Sequence, residues 1–232
     1  MHSDDDLATI YNGPVRSSTI GIGGRPIVVV RPADPDRMLD DPAVLAWNRA
    51  DDYMPYWAYL WPGAYLLAEA VAAETWKPGT PALEIGCGLG LAGLVGLHRG
   101  LRVTFSDYDG GTFGFVTRSA EANGFSAEAY SLRRLDWREP SAETFPVILG
   151  ADVLYERRLV PLVVNVLAAM LAPGGLALIA DPYRISAEGF PALALAAGLT
   201  CEAISVSAET KELGTVRGTL HRVTRTLTNK GR

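Results

Sequence analysis

A glycine-rich run lies in the first half of the sequence, between a short apolar stretch and a helix-like segment. Residues 83–90 read LEIGCGLG, and Leu91 opens the apolar run 91–99. Small residues in such a turn allow a ligand to approach the backbone closely. A dinucleotide-binding loop has the spacing Gly-x-Gly-x-x-Gly, which would require a glycine where this sequence has Leu91. The spacing therefore disfavours a nicotinamide or flavin enzyme, and a purely structural strand-to-helix turn is the alternative to a ligand site.

A second acidic position follows the loop where a ribose contact is expected. Asp107 ends the β-type run 103–106, about 20 residues beyond the glycines, where a carboxylate can accept hydrogen bonds from both ribose hydroxyls. Asp109 competes for this role, and a solvated turn is the structural alternative for either residue. The pattern favours a ribose-bearing ligand.

Two later segments end in side chains that could serve the same ligand or its reaction partner. Asp136 and Trp137 follow a third β-type run; the indole could stack on adenine while the carboxylate accepts from an exocyclic amine, and simple packing is the alternative. Residues 147–155 read VILGADVLY, so that Asp152 and Tyr155 would project beyond the carboxyl edge of a buried strand. Open α/β sheets bind ligands at this edge. A buried ring is the structural alternative for Tyr155.

The elements that must position these side chains alternate between β-type and helical runs after residue 79. This alternation is typical of βαβ units around a parallel sheet. Two final runs then alternate in β fashion with no helix-length segment between them, which predicts an antiparallel pair at the C-terminal end. The expected parallel strands cover residues 82–85, 103–106, 127–132, 147–150 and 176–180, and the final pair covers 201–207 and 215–223.

The N-terminal region has a different pattern. Residues 19–22 and 27–30 are β-rich and flank Gly23 and Gly24, which predicts a hairpin. Pro62 suits the first turn of a helix that continues to about residue 74. We expect one globular α/β unit with a Rossmann-like, seven-stranded, mostly parallel sheet and an N-terminal β-hairpin. Residues 1–50 would form a mobile arm and the hairpin, and residues 51–232 the ligand-binding domain.

Taken together, these motifs resemble class I S-adenosylmethionine-dependent methyltransferases, and in particular family 16, which includes protein-lysine methyltransferases with an Asp-x-x-Tyr motif. The similarity spans residues 55–223. The segment 55–63, PYWAYLWPG, with Asp152, Tyr155 and the segment 181–184, DPYR, looks most like the lysine methyltransferases of the electron-transfer-flavoprotein β subunit. At Tyr183 the sequence departs from that subgroup, in which glycine is more familiar.

The resemblance implies roles for individual residues. Asp152 and Tyr155 would face the substrate amine as the catalytic pair. Glu84 would organise the loop or bind the cofactor. The expected contacts of S-adenosylmethionine are Trp61, Glu84, Gly86, Cys87, Gly88, Asp107, Trp137 and Ala151.

The expected reaction is methyl transfer to an amine nitrogen, most readily that of a protein lysine. An in-line displacement needs alignment in a dry pocket rather than a covalent nucleophile. Asp152 would orient the amine, Tyr155 would hydrogen-bond it or wall its channel, and Asp181 and Arg184 would shape the entrance or pair with each other. The alternatives are a small-molecule N-methyltransferase and a non-catalytic module that binds the same cofactor. An open acidic cleft would favour the protein lysine, and a small closed apolar pocket the small molecule.

Composition excludes several other classes. The formal net charge is -5 and the isoelectric point about 5.3, which disfavours nucleic acid as a partner. Two cysteines and three histidines give no disulfide framework and no metal-ligand spacing, so we expect no metal and a reducing cytoplasm. No apolar run approaches the roughly 20 residues that span a bilayer, and the start lacks a signal-peptide pattern. The oligomeric state is left open by the sequence.

Overall fold

The computed structural model describes residues 11–226, so most of the expected N-terminal arm, residues 1–10, lies outside the described residues. The first elements are strands β1 (Val15–Ile22) and β2 (Arg25–Pro32), which form an antiparallel hairpin. Its turn consists of Gly23 and Gly24, with φ of 55° and 75°. Glycine is favoured there because side chains rarely adopt positive φ. The expected hairpin is confirmed.

A seven-stranded mixed sheet forms the centre of the molecule, in the order β5-β4-β3-β6-β7-β9-β8. The first five strands in this order are parallel, and β9 runs antiparallel to both of its neighbours. The strands are β3 (Pro81–Ile85), β4 (Arg102–Asp107), β5 (Tyr130–Arg134), β6 (Phe145–Ala151), β7 (Leu171–Asp181), β8 (Leu199–Thr210) and β9 (Gly214–Arg225). The expected architecture, including the antiparallel C-terminal strand, is confirmed.

Six α-helices flank or connect these strands within the described residues. They are α1 (Pro42–Asp51), α2 (Pro62–Ala73), α3 (Leu91–His98), α4 (Phe113–Ala122), α5 (Val160–Met170) and α6 (Phe190–Ala196). None of them is long and apolar enough to cross a membrane.

Two hydrophobic cores lie on opposite faces of the sheet. Helices α2, α3 and α4 and the hairpin cover one face, and α5 and α6 cover the other. Side chains alternate between the faces along each buried strand: Val147 and Leu149 belong to the first core, and Ile148 to the second. Burial on both faces explains why these strands are continuous apolar runs in the sequence.

The structure differs from the expectation in two local details. Strand β5 begins at Tyr130 instead of Ala127, because Ala127–Ala129 form a short 3-10 helix. Helix α1 was not expected. Its start carries two helix signals: the Asp41 side chain accepts a hydrogen bond from the Ala43 N–H at 2.8 Å, and Pro42 occupies the first turn.

Candidate active site

A cavity of about 690 Å³ opens at the carboxyl end of β3, β4 and β6. All ten residues expected from the sequence to bind the cofactor or the amine line it, although they come from five separate segments. These residues are Trp61, Glu84, Gly86, Cys87, Gly88, Asp107, Trp137, Ala151, Asp152 and Tyr155. The fold brings them together; their individual roles remain predictions.

The glycine loop follows β3 directly and passes over the end of β4. Gly86, Gly88 and Gly90 have φ of 57°, 49° and 73°, a region that favours glycine. A Cβ atom on Gly86 would lie 3.0 Å from Cζ2 of Trp137. The Gly88 N–H donates to Oδ2 of Asp107 at 2.9 Å. Backbone conformation and close approach therefore both require small residues in this loop.

Glu84 is buried at the base of the loop. Its Oε2 accepts a hydrogen bond from the Gly93 N–H, in the first turn of α3, at 3.0 Å. Burial raises the pKa of the Glu84 carboxyl to about 8, while the Gly93 N–H counteracts the rise. The sequence suggested that Glu84 either organises the glycine loop or binds the cofactor. The contact with α3 fits the first of these two roles.

Asp107 and Asp109 have different hydrogen-bond partners. Asp107 accepts from the Gly88 N–H through Oδ2 and from the Asp109 N–H through Oδ1, at 2.9 and 3.1 Å, and burial raises its pKa to about 6. Asp109 is buried, and its carboxylate accepts from the Tyr53 hydroxyl and from the Gly111 N–H. Asp109 thus holds the α1–α2 connection against the sheet. Asp107 is the better placed of the two to accept hydrogen bonds from a ribose.

Trp137 and Asp136 lie beyond β5 on the far side of the loop. The Trp137 ring is half-buried against Gly86 and faces the cavity. The Asp136 carboxylate is occupied by Arg138, whose Nη2 donates to it at 2.6 Å, and this hydrogen bond lowers the pKa of Asp136. The expected contact between Asp136 and an exocyclic amine would therefore compete with a local ion pair.

Asp152 follows β6 in a left-handed backbone conformation, with φ of 54°. Its Oδ2 accepts from the Gly63 N–H in the first turn of α2 at 2.5 Å. Its Oδ1 accepts from Nε and Nη2 of Arg184 at 3.0 and 2.9 Å. Burial raises the pKa of Asp152, and Arg184 opposes that shift.

Asp181 and Arg184 contact each other, but through the Arg184 backbone and not through its guanidinium. The Asp181 carboxylate accepts the backbone N–H of Arg184 at 2.9 Å, whereas the Arg184 guanidinium extends to Asp152. The partner is 32 residues away in the sequence and belongs to another strand end. A pairing of this kind depends on strand order, which local sequence spacing does not reveal.

An aromatic cluster forms the wall next to Asp152. The Tyr56 ring makes edge contacts with Trp61 and Tyr155, with ring centroids 5.9 and 5.6 Å apart. Burial raises the pKa of the Tyr155 hydroxyl to about 12, so the hydroxyl remains a hydrogen-bond donor at neutral pH. Sequence reasoning gave Tyr56 and Trp57 no role, although both line the cavity. The density of aromatic residues between 53 and 61 was the available signal.

Charge in the cavity wall is predominantly negative. The wall contains seven carboxyl groups and three arginines, and each arginine pairs with one of the carboxylates. Because burial raises the pKa of Glu84 to about 8, Glu84 is mostly protonated at neutral pH and adds little to the negative charge. The carboxyl groups are those of Asp52, Glu84, Asp107, Asp109, Asp136, Asp152 and Glu156, and the arginines are Arg138, Arg158 and Arg184. In the described part of the chain, no group of three or more His, Cys, Asp and Glu side chains could hold a metal ion.

Solved structures share this fold. The chain is similar to the T. thermophilus 16S rRNA N2 G1207 methyltransferase in complex with AdoMet and guanosine, at 19% identity and a TM-score of 0.60, covering 91% of this chain and 51% of that one. It is also similar to a TehB-like SAM-dependent methyltransferase from Corynebacterium glutamicum, at 18% identity and a TM-score of 0.53, covering 78% and 94%. A ribosomal protein L11 methylase from Lactobacillus delbrueckii subsp. bulgaricus matches at 14% identity and a TM-score of 0.55, covering 69% and 77%. At these identities the similarity establishes the fold.

The sheet order and these neighbours define a methyltransferase-like fold. Comparison with curated protein sequences gives no match. A family model described as lysine methyltransferase matches residues 58–189, which is more than half of the chain. The chain belongs to this family, methyltransferase family 16.

The cavity suits the cofactor of this family. Its volume lies within the range of about 300–1,000 Å³ that is usual for small-molecule sites. Gly86 and Gly88 leave the loop open to close approach, and Asp107 stands at the end of β4. The acidic wall complements the positive sulfonium of S-adenosylmethionine.

Proposed function

We propose that this protein transfers a methyl group from S-adenosylmethionine to the amine of a protein lysine. The observation that carries the proposal is the acidic cavity wall, in which six carboxyl groups other than the protonated Glu84 face three paired arginines. A lysine side chain is positively charged at neutral pH, because its usual pKa is about 10.4. An acidic cavity concentrates such a group, whereas it repels the phosphates of a nucleic acid.

The cofactor half of the proposed site consists of the glycine loop and the side chains around it. Gly86, Cys87 and Gly88 would present backbone to the methionine part, and Asp107 would accept the ribose hydroxyls. The Trp137 ring would stack on adenine. The remaining proposed contacts are Trp61, Ala151 and, through its support of the loop, Glu84.

The acceptor half of the proposed site consists of Asp152 and Tyr155. Both residues follow β6, next to Ala151, so they stand beside the proposed position of the reactive methyl group. When bound, the cofactor supplies an electrophilic methyl group. The substrate ammonium would first give up one proton to water, and the lone pair of the neutral amine would then form the C–N bond as the C–S bond breaks. Asp152 would hold the ammonium, and the Tyr155 hydroxyl would hydrogen-bond the nitrogen.

The proposal extends to domain organisation and location. Strand β2 packs on α4, where the Ser119 hydroxyl accepts the Val30 N–H at 2.8 Å, and Arg31 pairs with Glu212. These contacts support one globular unit, in which the N-terminal hairpin packs on the methyltransferase part of the chain; helix α1 (Pro42–Asp51) spans the expected boundary at residue 50. Cys87 and Cys201 are both free thiols, which supports a cytoplasmic location.

Cofactor binding is the first experimental test. Calorimetric titration of the purified protein with S-adenosylmethionine should show binding, and the Asp107→Ala variant should bind at least tenfold more weakly. Glu128→Ala is the matched control, because it removes an exposed carboxylate outside the cavity. Equal affinity of the Asp107→Ala variant and the wild type would refute the assigned cofactor site.

The acceptor is tested separately with isotope-labelled cofactor. The resemblance to methyltransferases of the electron-transfer-flavoprotein β subunit makes that subunit the first protein to test, followed by an extract of the source cells. Mass spectrometry should locate the label on lysine side chains. A label found only on RNA or only on free small amines would contradict the protein-lysine assignment while leaving the methyltransferase activity established.

A further inference from the structure

We propose that Arg184 occupies the acceptor's cation site in the ligand-free protein and must leave it when the substrate amine enters. This inference rests on the proposed function, because it concerns the same acceptor pocket. It assigns to Arg184 a specificity-determining role that is distinct from the holding of the cofactor.

The first argument is the chemistry of the position that the Arg184 guanidinium fills. Oδ1 of Asp152 accepts two hydrogen bonds from it, at 2.9 and 3.0 Å. The guanidinium carbon lies 5.8 Å from the centre of the Trp61 ring. A carboxylate and an aromatic face on adjacent sides form a recognition site for a cation. An ammonium ion carries the same charge and can use the same two partners.

The second argument is that Arg184 can leave without disturbing the fold around it. Its main chain is fixed independently, because its N–H donates to Asp181 and its C=O accepts from Ala187 at 3.0 Å. The side chain is 32% exposed, whereas that of Asp152 is 6% exposed. Movement of the guanidinium into solvent therefore requires only side-chain rotation.

The third argument is that Asp152 keeps its orientation when Arg184 departs. Its second oxygen remains bound to the Gly63 N–H at the start of α2. The partial positive charge of a helix N-terminus stabilises a carboxylate at this position. The cation site therefore persists, and a substrate ammonium finds the carboxylate already aligned.

The exchange makes acceptor binding a competition. A site that is free for only part of the time shows an apparent affinity reduced by that fraction. Arg184 is the exposed partner of the pair, so its guanidinium regains hydration when it leaves, and the substrate ammonium replaces it beside the buried Asp152. We expect that removing the guanidinium strengthens the binding of a lysine-like cation about fivefold.

The test measures binding of n-butylammonium chloride, a mimic of the lysine side chain, by ligand-observed NMR. The protein is saturated with S-adenosylhomocysteine and kept at constant ionic strength. Arg184→Gln should bind the probe about fivefold more tightly than the wild type, and added guanidinium should compete with the probe in this variant. Arg184→Gln combined with Asp152→Asn should lose the gain. If the Gln variant does not fold, Arg184→Lys replaces it, with an expected gain of about twofold.

Arg138→Gln is the matched control, since Arg138 also lines the cavity and pairs with a carboxylate there. It changes the cavity charge equally but leaves the Asp152 site filled, so its probe affinity should stay within twofold of the wild type. Equal gains in both variants, or no gain for Arg184→Gln, would overturn the inference. Added guanidinium could also restore methyl transfer by Arg184→Gln instead of inhibiting it. That result would overturn the inference, because it would show that the reaction requires Arg184. Failure of the wild type to bind S-adenosylhomocysteine would instead refute the proposed function.

Discussion

Replacement of Glu84 by glutamine should remove a pH dependence from the stability of the protein. Glu84 is buried, and its pKa rises from 4.5 to about 8 in the folded state. Between these values the folded protein retains a proton that the unfolded chain has released. The free energy of unfolding therefore falls as pH rises, by about 1.4 kcal/mol per pH unit, and the fall levels off above pH 8.

The interval between pH 6.5 and 8 isolates this effect. Burial raises the pKa values of Asp107 and Asp181 to about 6, so these groups titrate mainly below the interval. Burial lowers the pKa of His221 from 6.5 to about 4, so the unfolded chain still releases part of that proton above pH 6.5. This contribution has the opposite sign and largely offsets the remaining titration of the two aspartates. Burial raises the thiol pKa of Cys87 from a value already above the interval. Integration over the Glu84 titration gives a loss of roughly 1–2 kcal/mol from pH 6.5 to 8.

Urea unfolding at half-unit pH steps measures this loss directly. The wild type should lose roughly 1–2 kcal/mol across the interval, and Glu84→Gln should lose almost none while the Gln carbonyl still accepts the Gly93 N–H. Glu128→Gln, which changes an exposed carboxyl, should keep the wild-type slope. A flat wild-type profile, or an unchanged slope in Glu84→Gln, would show that Glu84 is ionised in the folded protein and that the reasoning from burial is wrong.

Four further substitutions test the packing, the backbone strain and the proposed stacking. A Cβ on Gly93 would overlap the Phe105 ring, so Gly93→Ala should destabilise the fold by about 2 kcal/mol. Gly114 lies in open space on α4, so Gly114→Ala should stabilise the fold by about 0.5 kcal/mol. Urea unfolding compares the two variants. Tyr183 has φ of 57° and is 56% exposed, so Tyr183→Gly should relieve backbone strain at little cost in packing. We expect Tm to rise by about 2 °C in calorimetry. A lower Tm would contradict this prediction. Trp137→Ala should weaken S-adenosylmethionine binding about tenfold if the ring stacks on adenine, and unchanged affinity in titration calorimetry would exclude that stacking.

The sheet could be predicted from the sequence because its strands are buried on both faces. Continuous apolar runs such as 147–150 identified the parallel strands to within a few residues, and the final alternating pair identified β8 and β9. Helix α1 carries a start signal at Asp41 and Pro42, but the segment before it is rich in proline and aspartate, which equally favour turns, so the sequence does not distinguish a helix there. The start of β5 was displaced because a 3-10 turn has no distinct sequence period.

The site was predictable in its membership but not in its contacts. Residues after a buried strand must meet at the carboxyl edge of the sheet, which placed Asp107, Trp137 and Asp152 in one cavity. The partners of these residues come from distant segments: Arg184 is 32 residues from Asp152, and Tyr53 is 56 residues from Asp109. Such pairs depend on the assembled sheet and on the path of the loops, which a single sequence does not specify.

The strand order has a consequence for how the protein is made. Strand β8 emerges from the ribosome before β9 but lies outside it, at the edge of the sheet. It therefore has no partner until residues 214–225 are synthesised, and until then the edge of β7 is open over its buried residues 176–181. An open apolar edge is a template for pairing with other chains. Nascent or truncated chains that end before β9 should therefore aggregate, and chaperone demand should be greatest just before synthesis of the last strand.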